Sequence, residues 1–300
     1  MTGTARSRRL FDRPYLLLTL TILFWSGNFI IGRAVHGHVP PVGLAFWRWF
    51  GGCVLLLVFA RPPLLRDRAA LLRSWRVVLL LSAIGIAAFN SLVYVGLQST
   101  EAINGLLMQS TMPVMIVGMS YLIFRETVSP LQGLGVAVSL AGAVWIVARG
   151  DPSVLATLTL NGGDVVIVVA VACYATYSTL LRKRPKVDPF SFLAVTFGLG
   201  ALILLPFYLW ESFSGNPMRF DRTTLLACGY VAVFPSILAY LCFNRGVELI
   251  GANRAGQFVH LMPVFGSGMA ILFLGESFQA FHAVGMVLIL SGIFLATRRR

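Results

Sequence analysis

Apolar positions come in ten long runs, at about 15–35, 43–60, 77–96, 102–124, 130–148, 164–181, 190–210, 225–244, 252–274 and 281–296, with short polar or basic breaks between them. A bilayer core of about 30 Å needs roughly twenty residues of helix, and each run is close to that length. None alternates with period two, so the runs predict membrane helices and not barrel strands. A longer period lies above this one. The stretch GLLMQSTMPVMIVGMSYLIFRETVSPLQGLGVAVSLAGAVWIV from Gly105 aligns without a gap on AGQFVHLMPVFGSGMAILFLGESFQAFHAVGMVLILSGIFLAT from Ala255, placing Pro113 on Pro263, Gly118 on Gly268, Glu126 on Glu276, Gly135 on Gly285 and Gly142 on Gly292, always 150 positions apart. The first halves match more loosely: WSGNFIIGR from Trp25 lies over YATYSTLLR from Tyr174 at an offset of 149.

Ten spans therefore divide into two copies of five. An odd number of spans sends the second copy into the membrane upside down, an inverted-topology repeat. The division expected is a cytoplasmic tail over 1–14, a first repeat over 15–150, an external linker over 151–163 and a second repeat over 164–300. Charge orients the whole. With the N-terminus inside, nineteen of the 24 lysines and arginines fall in inner segments, leaving Arg33, Arg48, Arg149, Arg219 and Arg222 toward the outside. That bias predicts both termini in the cytoplasm.

Composition agrees: 57% hydrophobic and 12% charged residues, with mean hydropathy +0.82, against about a quarter charged in soluble chains. The net charge of +13 would suggest nucleic acid in a soluble protein, but here it sits in loops that set orientation, so no nucleic-acid partner is expected. Cys53, Cys173, Cys228 and Cys242 all lie inside apolar runs without CxxC spacing, as small buried hydrophobes do. The first run has no small-residue cleavage site after it, so it reads as a span and not as a cleaved signal.

The WSGNF opening from Trp25, the AFWRWFGG segment from Ala45 and the paired MPV motifs at Met112 and Met262, each followed by a glutamate and spaced glycines, resemble the drug/metabolite transporter superfamily. The resemblance is to its bacterial ten-helix EamA-type carriers, and it covers nearly the whole chain. It implies an inner-membrane transporter of amino acids, other metabolites or drugs working by alternating access, and its aromatic amino-acid exporters agree with the aromatic faces described below. The second copy departs from the first at span seven, where nothing matches Arg48.

Pro113 and Pro263 each remove an N–H and are expected to give their helices a bend point for gating, with ordinary curvature as the plainer reading. Gly118, Gly135, Gly142, Gly268, Gly285 and Gly292 let helices approach closely, so spans five and ten are expected to pack or to mediate a homodimer. Glu126 and Glu276 read as caps or loop hydrogen bonders. All acids lie in loops or near helix ends, which disfavours carboxylate-based ion coupling and leaves facilitated diffusion or exchange. His260 is the one titratable side chain near the middle of a span, either an interhelical hydrogen bonder or a proton site. Arg48 between Trp47 and Trp49 reads either as an anchor snorkelling to the interface or as a cation attracting a substrate carboxylate. His36 and His38 lack a third ligand for a metal, and no cofactor or metal is expected.

Polar and aromatic residues three or four apart share helix faces: Trp25 and Asn28, Asn90 and Tyr94, Tyr174 and Tyr177, Ser236 and Tyr240, Gln257 and His260, with Gln109 on span four. Spans one, three, four, six, eight and nine thus have a wet face, and two, five, seven and ten mostly do not. These faces are expected to surround a central cavity that binds a small zwitterion with an apolar or aromatic side chain. The function expected is export of an amino acid or related metabolite. The alternatives are a drug carrier of the same superfamily and, from another class, a membrane-embedded enzyme, for which the lone His260 offers no acidic partner.

Overall fold

In the computed structural model, residues 11–35, 37–100, 102–274 and 277–298 are described. Most of the expected tail, His36 and Glu276 lie outside them. Ten helical runs follow one another: α1 Pro14–Ala34, α2 Pro41–Arg73, α3 Trp75–Ser99, α4 in two pieces Ala102–Ser110 and Met112–Phe124, α5 Pro130–Val147, α6 Gly162–Lys183, α7 Pro189–Phe213, α8 Arg222–Ile250, α9 from Ala252 to Leu274 and α10 Ala280–Thr297. Nine helices among the described residues are long and apolar enough to cross a membrane. The tenth run, α9, is interrupted by a 3-10 segment at Gln257–Leu261.

Local sequence sets the starts. Proline at the first helical position gives up no hydrogen bond and has the right φ, and Pro41, Pro130 and Pro189 occupy it. The orphan N–H groups of the first turn are met by side chains. Ser129 accepts from Gln132 N at 3.2 Å, Asp188 from Phe190 N at 2.9 Å and Asp221 from Thr224 N at 2.9 Å. Asn161 and Asp164 form a reciprocal capping box on α6. The start of α2 is capped from another helix, since Glu211 near the end of α7 accepts from Val42 N at 3.1 Å and Gly43 N at 2.7 Å. One boundary differs from expectation: α2 does not stop near Ala60 but runs through Pro62 and Pro63 to Arg73.

The repeat is visible in the packing. A Cβ on Gly135 would lie 2.4 Å from Ala296 N, and one on Gly142 would lie 2.9 Å from Gly285 O. As the chain rises along α5 it descends along α10, so these two repeat mates run antiparallel. α2 and α7 do the same, with Phe46 stacked on Tyr208 at 4.7 Å and Phe197 against Gly52. Mates that lie antiparallel require inverted copies. The remaining contacts obey the same two-fold relation: α3 packs on α6 as α8 packs on α1, and α4 on α6 as α9 on α1.

The glycine expectation holds for four of its six positions. The glycine faces of α5 and α10 are spent on each other within the chain. A Cβ added at Gly118 or Gly268 would meet nothing within 4 Å, so neither makes a close helix approach.

Candidate functional site

Two matched interruptions shape the centre. Ser82–Ala88 in α3 and Val233–Leu238 in α8 are π-helical, and they coincide at the 150-residue offset. A π turn displaces the i→i−4 ladder and leaves carbonyls available to side chains, and Pro235 adds to this by lacking an N–H. Both segments are used in that way. Pro235 O accepts from Arg48 Nη2 at 3.0 Å and from Trp25 Nε1 at 3.2 Å, while its repeat mate Gly85 O accepts from Tyr240 Oη at 2.7 Å.

Arg48 is the hub. Its Nε donates to Ser236 Oγ at 2.6 Å and its Nη1 to Asn28 Oδ1 and Asn90 Oδ1, both at 2.9 Å, and to Tyr94 Oη at 3.0 Å. The guanidinium also lies 4.5 Å from the Trp49 ring centre. The snorkelling expectation is overturned, because the side chain is 1% exposed and points to the molecular centre. The span-two face read as dry therefore delivers the most polar group of the site. Hydrogen bonds to a charge contribute about 1.5–3 kcal/mol each and hold the fork in place. All these acceptors are neutral, and among the described residues no carboxylate forms an ion pair with Arg48.

Below Arg48 lies an aromatic cluster. Tyr174, Tyr177 and Tyr240 are fully buried, with Tyr174 5.3 Å from both Trp25 and Tyr177 and Tyr240 5.4 Å from Trp49. Such edge and tilted pairs contribute about 0.5–1.5 kcal/mol each beyond burial. Gly85 makes room for one of them, since a Cβ there would sit 2.1 Å from the Tyr177 ring. Much of the central cavity expected from the sequence is thus filled by its own walls. What remains is a small cavity bordered by Trp25, Asn28, Asn90, Gln109, Met112 and Met262. Asn90 Nδ2 and Gln109 Nε2, both buried there, have no hydrogen-bond partner among the described residues.

A second space of about 910 Å³ opens at the basic end, bordered by Ser178, Thr179, Arg182, Arg184, Lys186 and Asn244 among others. Glu126, expected as a cap or a loop hydrogen bonder, accepts from Arg182 across its rim at 3.0 Å.

The structure brings Arg48, Trp25, Asn28, Asn90, Tyr94, Ser236, Tyr240 and Tyr174 together and sets Gln109 beside them. Tyr177 sits one layer nearer the basic end, donating to Asn244 Oδ1 at 3.1 Å. His260 borders neither space. Its Nδ1 meets Ser139 Oγ at 2.7 Å and its Nε2 meets Ser110 O at 2.9 Å, tying α9 to α5 and α4 as the interhelical reading expected. Gln257 donates to Asn253 O within its own helix at 3.2 Å. Pro113 and Pro263 stand second in Met112–Phe124 and Met262–Leu274, just after breaks in α4 and α9, where a missing N–H costs nothing. Each proline thus follows an interruption of its helix. His38 pairs with Asp221 at 2.7 Å, joining the α1–α2 loop to the start of α8. Asn244, Pro235 and Gly85 escaped the sequence reading. The signal available was the repeat itself: Tyr94 plus 150 is Asn244, and Gly85 plus 150 is Pro235.

Known proteins agree with this architecture. A crystal structure superposes with a TM-score of 0.77 over 95% of this chain and 96% of that one, at 18% identity, which supports the fold alone. A Bacillus subtilis (strain 168) protein described as the uncharacterized transporter YyaM is 28% identical over 94% of this chain and 93% of its own length. An S-adenosylmethionine/S-adenosylhomocysteine transporter of Chlamydia trachomatis serovar D is 25% identical over 93% of this chain and 88% of its own. The profile of the EamA-like transporter family matches twice, at residues 13–148 and 161–298, so the chain is a multi-pass membrane protein that belongs to the EamA-like transporter family.

Proposed function

We propose that this transporter exports an amino acid with an apolar or aromatic side chain, or a closely related metabolite, across the bacterial inner membrane by alternating access, with both termini in the cytoplasm. The observation that carries the reading is Arg48: a buried guanidinium held by five side-chain and backbone oxygens, none of them charged. A charge at bilayer depth costs about 2.5–3.5 kcal/mol or more, and a substrate carboxylate is the natural partner to offset it. Asn90 and Gln109 add two idle amide donors beside it, and the tryptophan and tyrosine rings offer surface to an apolar side chain. The acids on α2, α6 and α7 serve helix ends and loops, which supports facilitated diffusion or exchange. The same chemistry suits a drug or metabolite bearing an anionic group.

A second reading comes from the Chlamydia trachomatis relative named for S-adenosylmethionine and S-adenosylhomocysteine. Both molecules carry an amino-acid carboxylate and a flat ring, which an arginine beside an aromatic cluster would take. One experiment separates the two. Purified protein in proteoliposomes at equal pH is loaded with unlabelled phenylalanine, threonine or S-adenosylhomocysteine, and uptake of the labelled compound is followed. Counterflow of phenylalanine alone supports the first reading, and of S-adenosylhomocysteine alone the second. Absence of counterflow with every carboxylate-bearing compound overturns both.

A further inference from the structure

Asn28 and Tyr177 occupy the same position in the two copies, and so do Tyr94 and Asn244. The residue types are exchanged, yet each copy makes the same bond between its first and third helices. Tyr94 Oη donates to Asn28 Oδ1 at 2.7 Å between α3 and α1, and Tyr177 Oη donates to Asn244 Oδ1 at 3.1 Å between α6 and α8. Their depths are opposite. Asn28 and Tyr94 lie near the last turns of α1 and α3, away from the basic turns, whereas Tyr177 and Asn244 lie near the last turns of α6 and α8, beside them. The aromatic cluster and the small cavity lie between the two bonds. The copies differ in one respect. Arg48 binds both members of the first bond and ties them to Ser236 and Pro235 of α8, while α7 carries no basic residue to do the same for the second. The space at the basic end reaches Asn244, whose buried Nδ2 has no hydrogen-bond partner among the described residues.

We propose that the two tyrosine–asparagine bonds are the two gates of the carrier, and that Arg48 locks only the gate away from the basic face, so that an anionic group taken by Arg48 releases that gate. The release step rests on the reading of Arg48 as the receptor of the substrate carboxylate; the assignment of the gates does not. An anion drawing Nη1 to itself withdraws donors from Asn28, Asn90 and Tyr94 together, and α8 loses its tie to α1 and α3. Two copies of one gate with a lock on only one of them bias the empty carrier toward the basic side, where an exported substrate arrives.

Hydrogen–deuterium exchange by mass spectrometry tests this on the full chain in lipid nanodiscs without ligand. Tyr→Phe keeps each ring; Tyr177→Phe removes the bond to Asn244, and Tyr94→Phe removes the bond to Asn28 together with the Arg48 donation to the same oxygen. Tyr94→Phe is expected to speed exchange several-fold in peptides at the ends of α1 and α3 away from the basic face, and Tyr177→Phe in peptides at the basic ends of α6 and α8. Peptides of α5 and α10, remote from both bonds, report that the variants are folded and should match the unmodified protein. Faster exchange at the same face in both variants, or at neither, overturns the gates. L-Phenylalanine added to the unmodified protein is then expected to reproduce the Tyr94→Phe pattern. If Tyr94→Phe opens its gate but phenylalanine and S-adenosylhomocysteine do not, release by an anion is overturned together with Arg48 as receptor, and the gates stand.

Discussion

Arg48 and His260 are the two buried residues whose protonation or charge matters most, and their surroundings set different expectations. Arg48 satisfies its hydrogen bonds but not its charge. Arg48→Met removes a buried charge that no carboxylate among the described residues offsets, but it strands the buried acceptors on Asn90, Ser236 and Pro235, each a cost of about 1–3 kcal/mol. It is therefore expected to lower the melting temperature and to reduce counterflow by about tenfold or more. Counterflow at the unmodified level in the folded fraction of Arg48→Met, isolated by size-exclusion chromatography, would make the arginine structural. Arg48→Lys is expected to lose transport as well, because a point charge does not fork toward Asn28, Asn90, Ser236 and Pro235 at once. His260 is hydrogen-bonded on both nitrogens. Since Ser110 O only accepts, Nε2 carries hydrogen there, and the Ser139 hydroxyl serves Nδ1. His260→Ala strands a buried carbonyl, a cost of about 1–3 kcal/mol, and leaves a cavity as well. The expected outcome is a lower melting temperature, with the substrate preference measured by counterflow unchanged.

At the scale of helices, stability is expected to depend most on the α5–α10 seam and on the caps. Gly135→Leu and Gly292→Leu place side chains against backbone atoms that even a Cβ would meet at 2.4 Å, and expression of folded protein, read by size-exclusion chromatography in detergent, should collapse. Gly118→Ala and Gly268→Ala meet nothing within 4 Å and should raise the melting point slightly, since Gly inside a helix costs about 0.5–1 kcal/mol relative to Ala. The cap on α8 gives a pH dependence. The Thr224 N–H, and after it His38, hold the Asp221 carboxyl below its ordinary value. A carboxyl whose pKa is depressed by folding stabilises the protein above its unfolded pKa, about 3.9, and loses that contribution as pH falls through the folded value. Melting curves of the unmodified protein and Asp221→Asn should therefore differ from pH 8 down to about pH 5 and converge in stronger acid. Curves that stay apart at every acid pH, with no tendency to converge as pH falls, would assign the cap's effect to shape and not to charge.

At the scale of the whole molecule, the sequence determined the class and the symmetry. Ten apolar runs of bilayer length, a 150-residue echo and basic turns on one side leave little choice, because lipid admits only segments that satisfy their own backbone and because two copies of an odd helix count must invert. The family match and the antiparallel mates α2–α7 and α5–α10 agree. The pairing of residues on single helix faces was also legible, since Trp25 with Asn28, Asn90 with Tyr94 and Tyr174 with Tyr177 follow from helical spacing alone. The direction in which Arg48 turns was not. Its sequence neighbours, two tryptophans near a helix end, fit an interfacial anchor equally well, and only the assembly of α2 with α1, α3 and α8 supplies the oxygens that draw it inward. The π segments were equally hidden, because Ser82–Ala88 has no residue that demands one and the shift in the hydrogen-bond ladder is set by tertiary contacts. So too was the closed state of the centre, which depends on three tyrosines of the second copy, from α6 and α8, packing against Trp25 and Trp49 of the first. Sequence periodicity fixes which face of a helix is polar, a property each helix carries by itself; what that face meets is a property of pairs of helices and is decided only when they pack.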